Sequence, residues 1–289
     1  VRGEAGGVEL TSPRSPRVTA ARRLHKRAFR SQDRRFLAEG PQAVREALAL
    51  APGAPGRPVE VFATAEALAR HDDVLGPAAA AGVPVHRASG EVLAALAQTV
   101  TPQGVVAVCT LLDVPLGAVL EQRPRLVAVL ANVRDPGNAG TVLRAADAAG
   151  AEAVVLTDAS VDVYNGKCVR ASAGSLFHLP VVLGAPLPAL VEGLRGAGLR
   201  VLAADGAGEQ DLDALADRPG AQGLGGPVAW IFGNEAWGLP EESRRLADAV
   251  VRVPIHGRAE SLNLAAAAAV CLYATARAQR ADGGCRAGG

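Results

Sequence analysis

The feature that most restricts how this chain can fold is a recurring short run of apolar residues. Leu126–Leu130, Ala153–Thr157, Val228–Phe232 and residues 199–204 are each almost wholly apolar. A strand with one wet face alternates polar and apolar residues, whereas a strand apolar throughout is covered on both faces. Helical patterns lie between these runs, at residues 139–149, 189–197 and 241–248. The alternation predicts an α/β fold with a mostly parallel sheet between two layers of helix. Residues 250–253 read as the last strand and 261–279 as a long alanine-rich terminal helix. Residues 167–175 read as a short helix and 218–226 as a flexible connection.

Upstream, the same alternation recurs on a smaller scale. Phe36 and Leu37 read as a buried strand, Pro41 as the opening of a helix, and 59–63 as a strand. A helix at 65–70, a strand edge at 84–86, a helix at 90–97 and an apolar strand at 104–109 follow. The expected organisation is a flexible tail over 1–18, a small α/β domain over 19–110 and a linker over 111–124. A larger α/β domain over 125–282 and a flexible end over 283–289 complete it.

Three polar islands interrupt the larger domain, each just beyond a buried strand, where open α/β sheets bind ligands. The first holds Asn132, Asp135, Pro136, Asn138 and Gly140, with Arg144 placed about one turn into the next helix. A cation and free amides near a helix start would favour a phosphate or a developing oxyanion; helix capping with a surface arginine is the plainer reading. The second holds Gly233, Asn234, Glu235, Trp237, Gly238 and Pro240. Glu235 could accept hydrogen bonds or hold an arginine, and Gly233 lets backbone approach a ligand closely. The third holds Pro254, His256, Arg258, Glu260, Ser261 and Asn263, with Ser261 expected to cap the last helix and Asn263 to project from its first turn.

Several chemistries are disfavoured. There is no GxSxG nucleophile elbow, no GxxxxGK[ST] loop and no GxGxxG turn after the first strand of the larger domain. The five histidines lack metal-ligand spacing, and no metal is expected. Cys109, Cys168, Cys271 and Cys285 form no CxxC pair, so neither disulfides nor a zinc cluster are expected. No secretory signal or membrane span is apparent, and a cytoplasmic protein is expected. The net charge is only +1, but residues 1–35 carry ten Lys or Arg against three acidic residues. That asymmetry suits docking on phosphates, or else a solvated terminus.

Taken together, the islands resemble the SpoU/TrmH family of RNA ribose 2′-O-methyltransferases, within the SPOUT superfamily. Asn132, Asp135, Pro136, Asn138, Gly140 and Arg144 carry the first motif; Gly233, Asn234, Glu235 and Gly238 the second; Pro254, Ser261, Leu262 and Asn263 the third. Tyr164 to Lys167, Arg170 to Ser175 and Phe177 to Pro180 also look like the family, as do Arg34 to Leu37, Glu39, Gly40 and Thr101 to Val106 in the first domain. The resemblance implies a deep trefoil knot in the catalytic domain and an L30e-like substrate-binding domain before it. It also implies a homodimer and a structured RNA substrate, most often 23S ribosomal RNA. A tRNA substrate, or an inactive RNA-binding or ribosome-assembly protein of the same fold, are the alternatives; an NAD-dependent enzyme is improbable without its glycine fingerprint.

By the same resemblance, S-adenosylmethionine would be enclosed by Ala203, Ala204, Gly233, Val253, Ile255 and Leu262. Arg144 would activate the ribose hydroxyl, either as a base or by stabilising the forming oxyanion, with Asn138, Glu235, Ser261 and Asn263 orienting it or the ribose. Arg22, Arg23, Lys26, Arg27, Arg30, Arg34 and Arg35 are candidates for RNA phosphate contact, with Lys167 and Arg170.

Overall fold

Residues 8–286 are described by a computed structural model, and the chain divides between two units, neither continuous in sequence. One comprises Val1–Leu112 with Asp162–Phe177; the other comprises Asp113–Val161 with His178–Gly289.

In the first unit, Ser15 caps α1 (Pro16–Arg23) by accepting the Val18 amide, and Pro16 presets its first turn. Then come α2 (Arg27–Asp33), β1 (Arg35–Glu39), α3 (Pro41–Ala49) and β2 (Pro58–Ala63). Thr64 caps α4 (Ala65–Arg70), which leads into α5 (Asp72–Ala80). β3 (Val85–Arg87), α6 (Gly90–Leu96) and β4 (Val105–Thr110) follow. The sheet order is β1-β4-β2-β3, with β4 antiparallel to β1 and β2 and with β3 parallel to β2. Val18 and Leu24, with Val92, Leu93 and Leu96 of α6, pack on Leu37, Phe62 and Val106 of the sheet.

Two expectations change here. Part of the flexible tail expected over 1–18 is structured: Leu10 bridges Ala88, and Val18 is fully buried because α1 closes this core. Residues 1–7 lie outside the described part. Helix α5 was not anticipated, since Gly76 and Pro77 inside it obscure the helical pattern.

The second unit begins with α7 (Leu116–Glu121), β5 (Leu126–Leu130), α8 (Pro136–Ala149) and β6 (Ala153–Thr157). The chain then supplies α9 (Gly166–Ala171) to the first unit and resumes with β7 (Val181–Ala185), α10 (Leu187–Gly196) and β8 (Arg200–Ala204). β9 (Gln210–Asp211), α11 (Leu212–Ala216), β10 (Val228–Phe232), α12 (Glu241–Arg245), β11 (Ala249–Arg252) and α13 (Leu264–Arg286) complete it. All seven strands are parallel, in the order β7-β6-β5-β10-β8-β11-β9. Val127, Val129, Val155, Ile231 and Val201 pack against Leu190, Val191 and Leu194 of α10 on one face. On the other, Trp230 Nε1 donates to Thr275 Oγ1 of α13 at 2.8 Å.

The expected linker over 111–124 is structured: Val114 bonds Val181, and Leu116 and Leu120 pack on the core of the second unit. β7 escaped notice because it is an edge strand interrupted by Gly184 (φ +71) and flanked by prolines. The flexible connection at 218–226 is a turn whose Leu224 is fully buried. The terminal helix starts at Leu264, and it continues to Arg286 where a flexible end was expected; residues 287–289 lie outside the described part.

Residues 162–177, assigned from sequence to the larger domain, belong to the first unit. The Tyr164 and Phe177 rings lie 4.8 and 6.0 Å from that of Phe36, and Tyr164 Oη accepts the Leu112 amide at 2.9 Å. Arg30 pairs with Asp162 at 2.5 Å and donates to the carbonyls of Leu24 and His25. Arg170 pairs with Glu39 at 2.9 Å. No helix among the described residues is long and apolar enough to cross a membrane.

Candidate active site

In a parallel sheet all carboxyl ends lie along one edge. Because β5, β10, β8 and β11 are adjacent, the loops that follow them stand side by side. Residue types at each strand exit then fix the loop shapes.

After β5, Asn132 adopts φ +58, a left-handed conformation asparagine tolerates better than most residues. Its carbonyl accepts the Asn234 side-chain amide at 2.8 Å. Asp135 caps α8 by accepting the Asn138 amide at 2.8 Å, and Pro136 takes the first helical position. After β10, a Cβ on Gly233 would lie 2.5 Å from the carbonyl of Gly238, so only glycine fits. Residues 234–238 close into a tight turn through two reciprocal backbone bonds of 2.9 Å between Asn234 and Gly238. After β8, Asp205 accepts the Leu239 amide at 3.2 Å and pairs with Arg244 at 3.4 Å, which fixes the far side of that turn.

The loops after β8 and β10 and the segment after β11 enclose an open cavity of about 590 Å³. Ala204, Gly233, Val253, Ile255 and Leu262 of the expected cofactor set line it, and so does Ser261, expected to orient the ribose or Arg144. Ala203 does not: it is fully buried in the core, because alternate residues of a strand face opposite sides. Asp205, Phe232, Asn234, Glu260 and Leu264 also line the cavity. Asn234 and Glu260 belong to the polar islands, whereas Asp205, Phe232 and Leu264 were not expected here, although Asp205 immediately follows a buried strand. Ile255 and Leu262 remain 38% and 39% exposed, leaving apolar walls open to a ligand.

Beside the cavity, three of the proposed catalytic residues meet. Asn138 Nδ2 donates to Glu235 Oε1 at 3.3 Å, and Asn263 Nδ2 donates to Asn138 Oδ1 at 3.2 Å. Glu235 also accepts the backbone amides of Asp135 at 3.2 Å and Arg134 at 3.3 Å. It therefore satisfies N–H groups at the entrance to α8 and pairs with no arginine side chain among the described residues. Asn263, not Ser261, caps α13: its Oδ1 accepts the amides of Ala265 and Ala266 at 2.9 and 3.4 Å. Ser261 lies exposed in the loop before the cap.

Arg144 is corrected in position. α8 starts at Pro136, so Arg144 is its ninth residue, about 12 Å from the helix start. The helix dipole acts over the first turn and does not reach it. Arg144 is exposed, does not line the cavity of its own chain, and lies on a different face of α8 from Asn138. Cys271 of α13 is buried, and burial pushes its thiol up to about 12.

The basic candidates divide. Arg22, Lys26, Arg27, Arg34, Arg35 and Lys167 are exposed, and Arg23 lies 4.1 Å above the Phe29 ring. Arg30 is buried in its pair with Asp162, and Arg170 is engaged by Glu39, so both serve packing of the first unit.

Residues 125–273 match the SpoU rRNA Methylase family, and residues 15–107 match the MRM3-like substrate binding domain. The chain belongs to the SpoU rRNA Methylase family. Among its relatives in that family, the 23S rRNA (guanosine(2553)-2′-O)-methyltransferase RlmP of Bacillus subtilis is 34% identical, covering 92% of this chain and 98% of the relative. The AdoMet-bound rRNA methyltransferase of Sinorhizobium meliloti superposes with a TM-score of 0.79 at 32% identity, over 93% of this chain and 97% of that one. The SpoU methyltransferase AviRb of Streptomyces viridochromogenes, in complex with AdoMet, gives 0.76 at 29% identity, over 93% and 99%.

Proposed function

We propose that this SpoU methylase binds S-adenosylmethionine in the cavity bounded by Gly233, Ile255 and Leu262 and methylates a ribose 2′-hydroxyl of 23S ribosomal RNA. The observation that carries this is the juxtaposition of that cavity with the Asn138, Glu235 and Asn263 network. The cavity suits the cofactor: its volume is in the range of small-molecule sites, its walls are apolar, and Gly233 keeps backbone open to a close ligand. Once bound, the cofactor supplies a methyl group already activated as a sulfonium. What the protein must add is orientation of the ribose and stabilisation of negative charge on its oxygen. Asn138 and Asn263 orient the ribose, while Glu235 keeps the loop before α8 in place. Arg144 keeps its proton and stabilises the developing oxyanion, while phosphate or solvent takes the hydroxyl proton.

Arg144 acts on this reading in the cavity of a second copy, and the enzyme is a homodimer. Its exposure on α8, away from its own cavity, supports this. So does the neighbouring surface: Tyr273 of α13 bonds the Ala148 carbonyl one turn beyond Arg144, and Tyr273 and Val270 are 51% and 43% exposed. We assign the second unit a trefoil knot: β11 lies between β8 and β9, yet the chain after it returns to pack α13 on α8 and β10. The first unit we assign an L30e-like fold that holds rRNA through Arg22, Arg23, Lys26, Arg27, Arg34, Arg35 and Lys167. We place the protein in the cytoplasm, with the ribosome. The 23S assignment rests on the relatives' names.

The test is Arg144→Ala, assayed with radiolabelled cofactor on 23S rRNA. Turnover should fall at least about a hundredfold, as when a charge-stabilising donor is removed, while calorimetric affinity for the cofactor is unchanged. Near-normal methylation by this variant overturns the assignment.

A further inference from the structure

The chain has two tryptophans, and they are treated in opposite ways. Trp230 is fully buried in β10 with its Nε1 bonded to Thr275. Trp237 is 59% exposed and makes no hydrogen bond or ring contact among the described residues. An indole held in water is unfavourable unless something covers it in use.

The backbone carrying Trp237 is fixed. The turn is closed by the paired Asn234–Gly238 bonds, and Asn234 Oδ1 accepts the Ala236 amide at 2.8 Å. Gly238 takes φ +66 with Asp205 packed against it, and Leu239 beyond it is buried. The exposure is therefore imposed by the turn. The same turn supplies Asn234, Glu235, Ala236 and Gly238 to the lining of the cofactor cavity, which puts the indole at its rim.

From this rim position we infer that Trp237 is a stacking platform for an unpaired nucleobase next to the nucleotide whose ribose is methylated. The inference rests on the methyltransferase reading above. A flat aromatic face accepts any base and needs no apolar surroundings, which suits a ring flanked by Asn234, Glu235 and Gly238. A protein partner would need a wider apolar patch around its anchor. Among the described residues, the other large exposed apolar side chains of the second unit are Ile255 and Leu262, which line the cavity, and Val270 and Tyr273 on α13. Stacking would hold the strand splayed open and bring one ribose to the cavity.

The test uses the full chain, 23S rRNA transcripts and a mixed-sequence single-stranded RNA oligonucleotide. Trp237→Ala should raise KM for RNA about tenfold and leave cofactor affinity within about twofold, and Trp237→Phe should recover most of the loss. The emission of Trp237, taken as wild type minus Trp237→Phe, should be quenched by either RNA. An unchanged KM together with unquenched emission overturns the inference. So does conversion of a dimer to monomer by Trp237→Ala, which would mean the indole covers a second copy. Quenching by RNA in a protein that neither binds cofactor nor methylates would overturn the methyltransferase reading instead, leaving the platform intact.

Discussion

Asn263 Nδ2 donates to Asn138 Oδ1 at 3.2 Å, so the cap of the last helix reaches the first turn of a helix 125 residues earlier. The same Asn263 side chain uses its oxygen to cap α13. Its two jobs can be separated.

Asn263→Asp retains an acceptor for the cap and loses the donor to Asn138. Its melting temperature should match wild type, while kcat/KM falls about fivefold, the equivalent of one hydrogen bond of ~1 kcal/mol. Asn263→Ala loses the cap as well, and should melt about 2–4 °C lower. Equal activity in wild type and Asn263→Asp would show that the bond to Asn138 has no part in turnover.

Gly233→Ala places a methyl 2.5 Å from backbone atoms of Gly238, which cannot yield as a flexible side chain would. The turn must open, at a cost of about 1–3 kcal/mol. Calorimetry should report weakened cofactor binding together with a lower melting temperature. Unaltered affinity would mean that the turn does not shape the cavity.

Arg30 and Arg27 make a contrasting pair. Arg30→Ala leaves the half-buried Asp162 without its counter-ion and should destabilise by about 2–4 kcal/mol in denaturant titrations. Arg27 is exposed, so Arg27→Ala should change stability by under about 0.5 kcal/mol and reduce the salt dependence of RNA binding. A folded, fully stable Arg30→Ala protein would contradict the burial described here.

His86 gives the first unit a dependence on pH. Burial holds its imidazole below the ordinary value of 6.5, the Arg17 guanidinium adds to this, and Glu60 opposes it. Arg17 Nη1 lies 3.0 Å from Nδ1 and 2.9 Å from Nε2 of the ring, and Nε2 also faces Glu60 at 3.2 Å. The unfolded chain then takes up the proton first as pH falls, so stability is full above 6.5 and declines below it. His86→Gln should flatten the stability profile between about pH 6.5 and the lower folded value. An unchanged slope would assign the acid sensitivity elsewhere.

The parallel sheet was legible because each buried strand is apolar throughout, and the site was legible because polar residues cluster at strand exits. Edges were harder to read. β7 carries Gly184 and α5 carries Gly76 and Pro77, so their local signals oppose the structure they adopt. The role of Glu235 was half visible: its acceptors were expected, but that they serve the amides of Arg134 and Asp135 depends on strands adjacent in space and distant in sequence. Arg30 shows the limit of reading charge alone. Its type does not separate it from Arg27; the carbonyls of Leu24 and His25 and the carboxylate of Asp162, 132 residues away, take it out of solvent.

The ownership of residues 162–177 bears on how such enzymes can be recombined. A graft that moves the first 112 residues alone leaves Phe36 without Tyr164 and Phe177, and strands Arg30 without its counter-ion. Exchanging the first unit between relatives therefore requires transplanting two separate stretches of the gene together. A single cut at residue 112 cannot separate the two units.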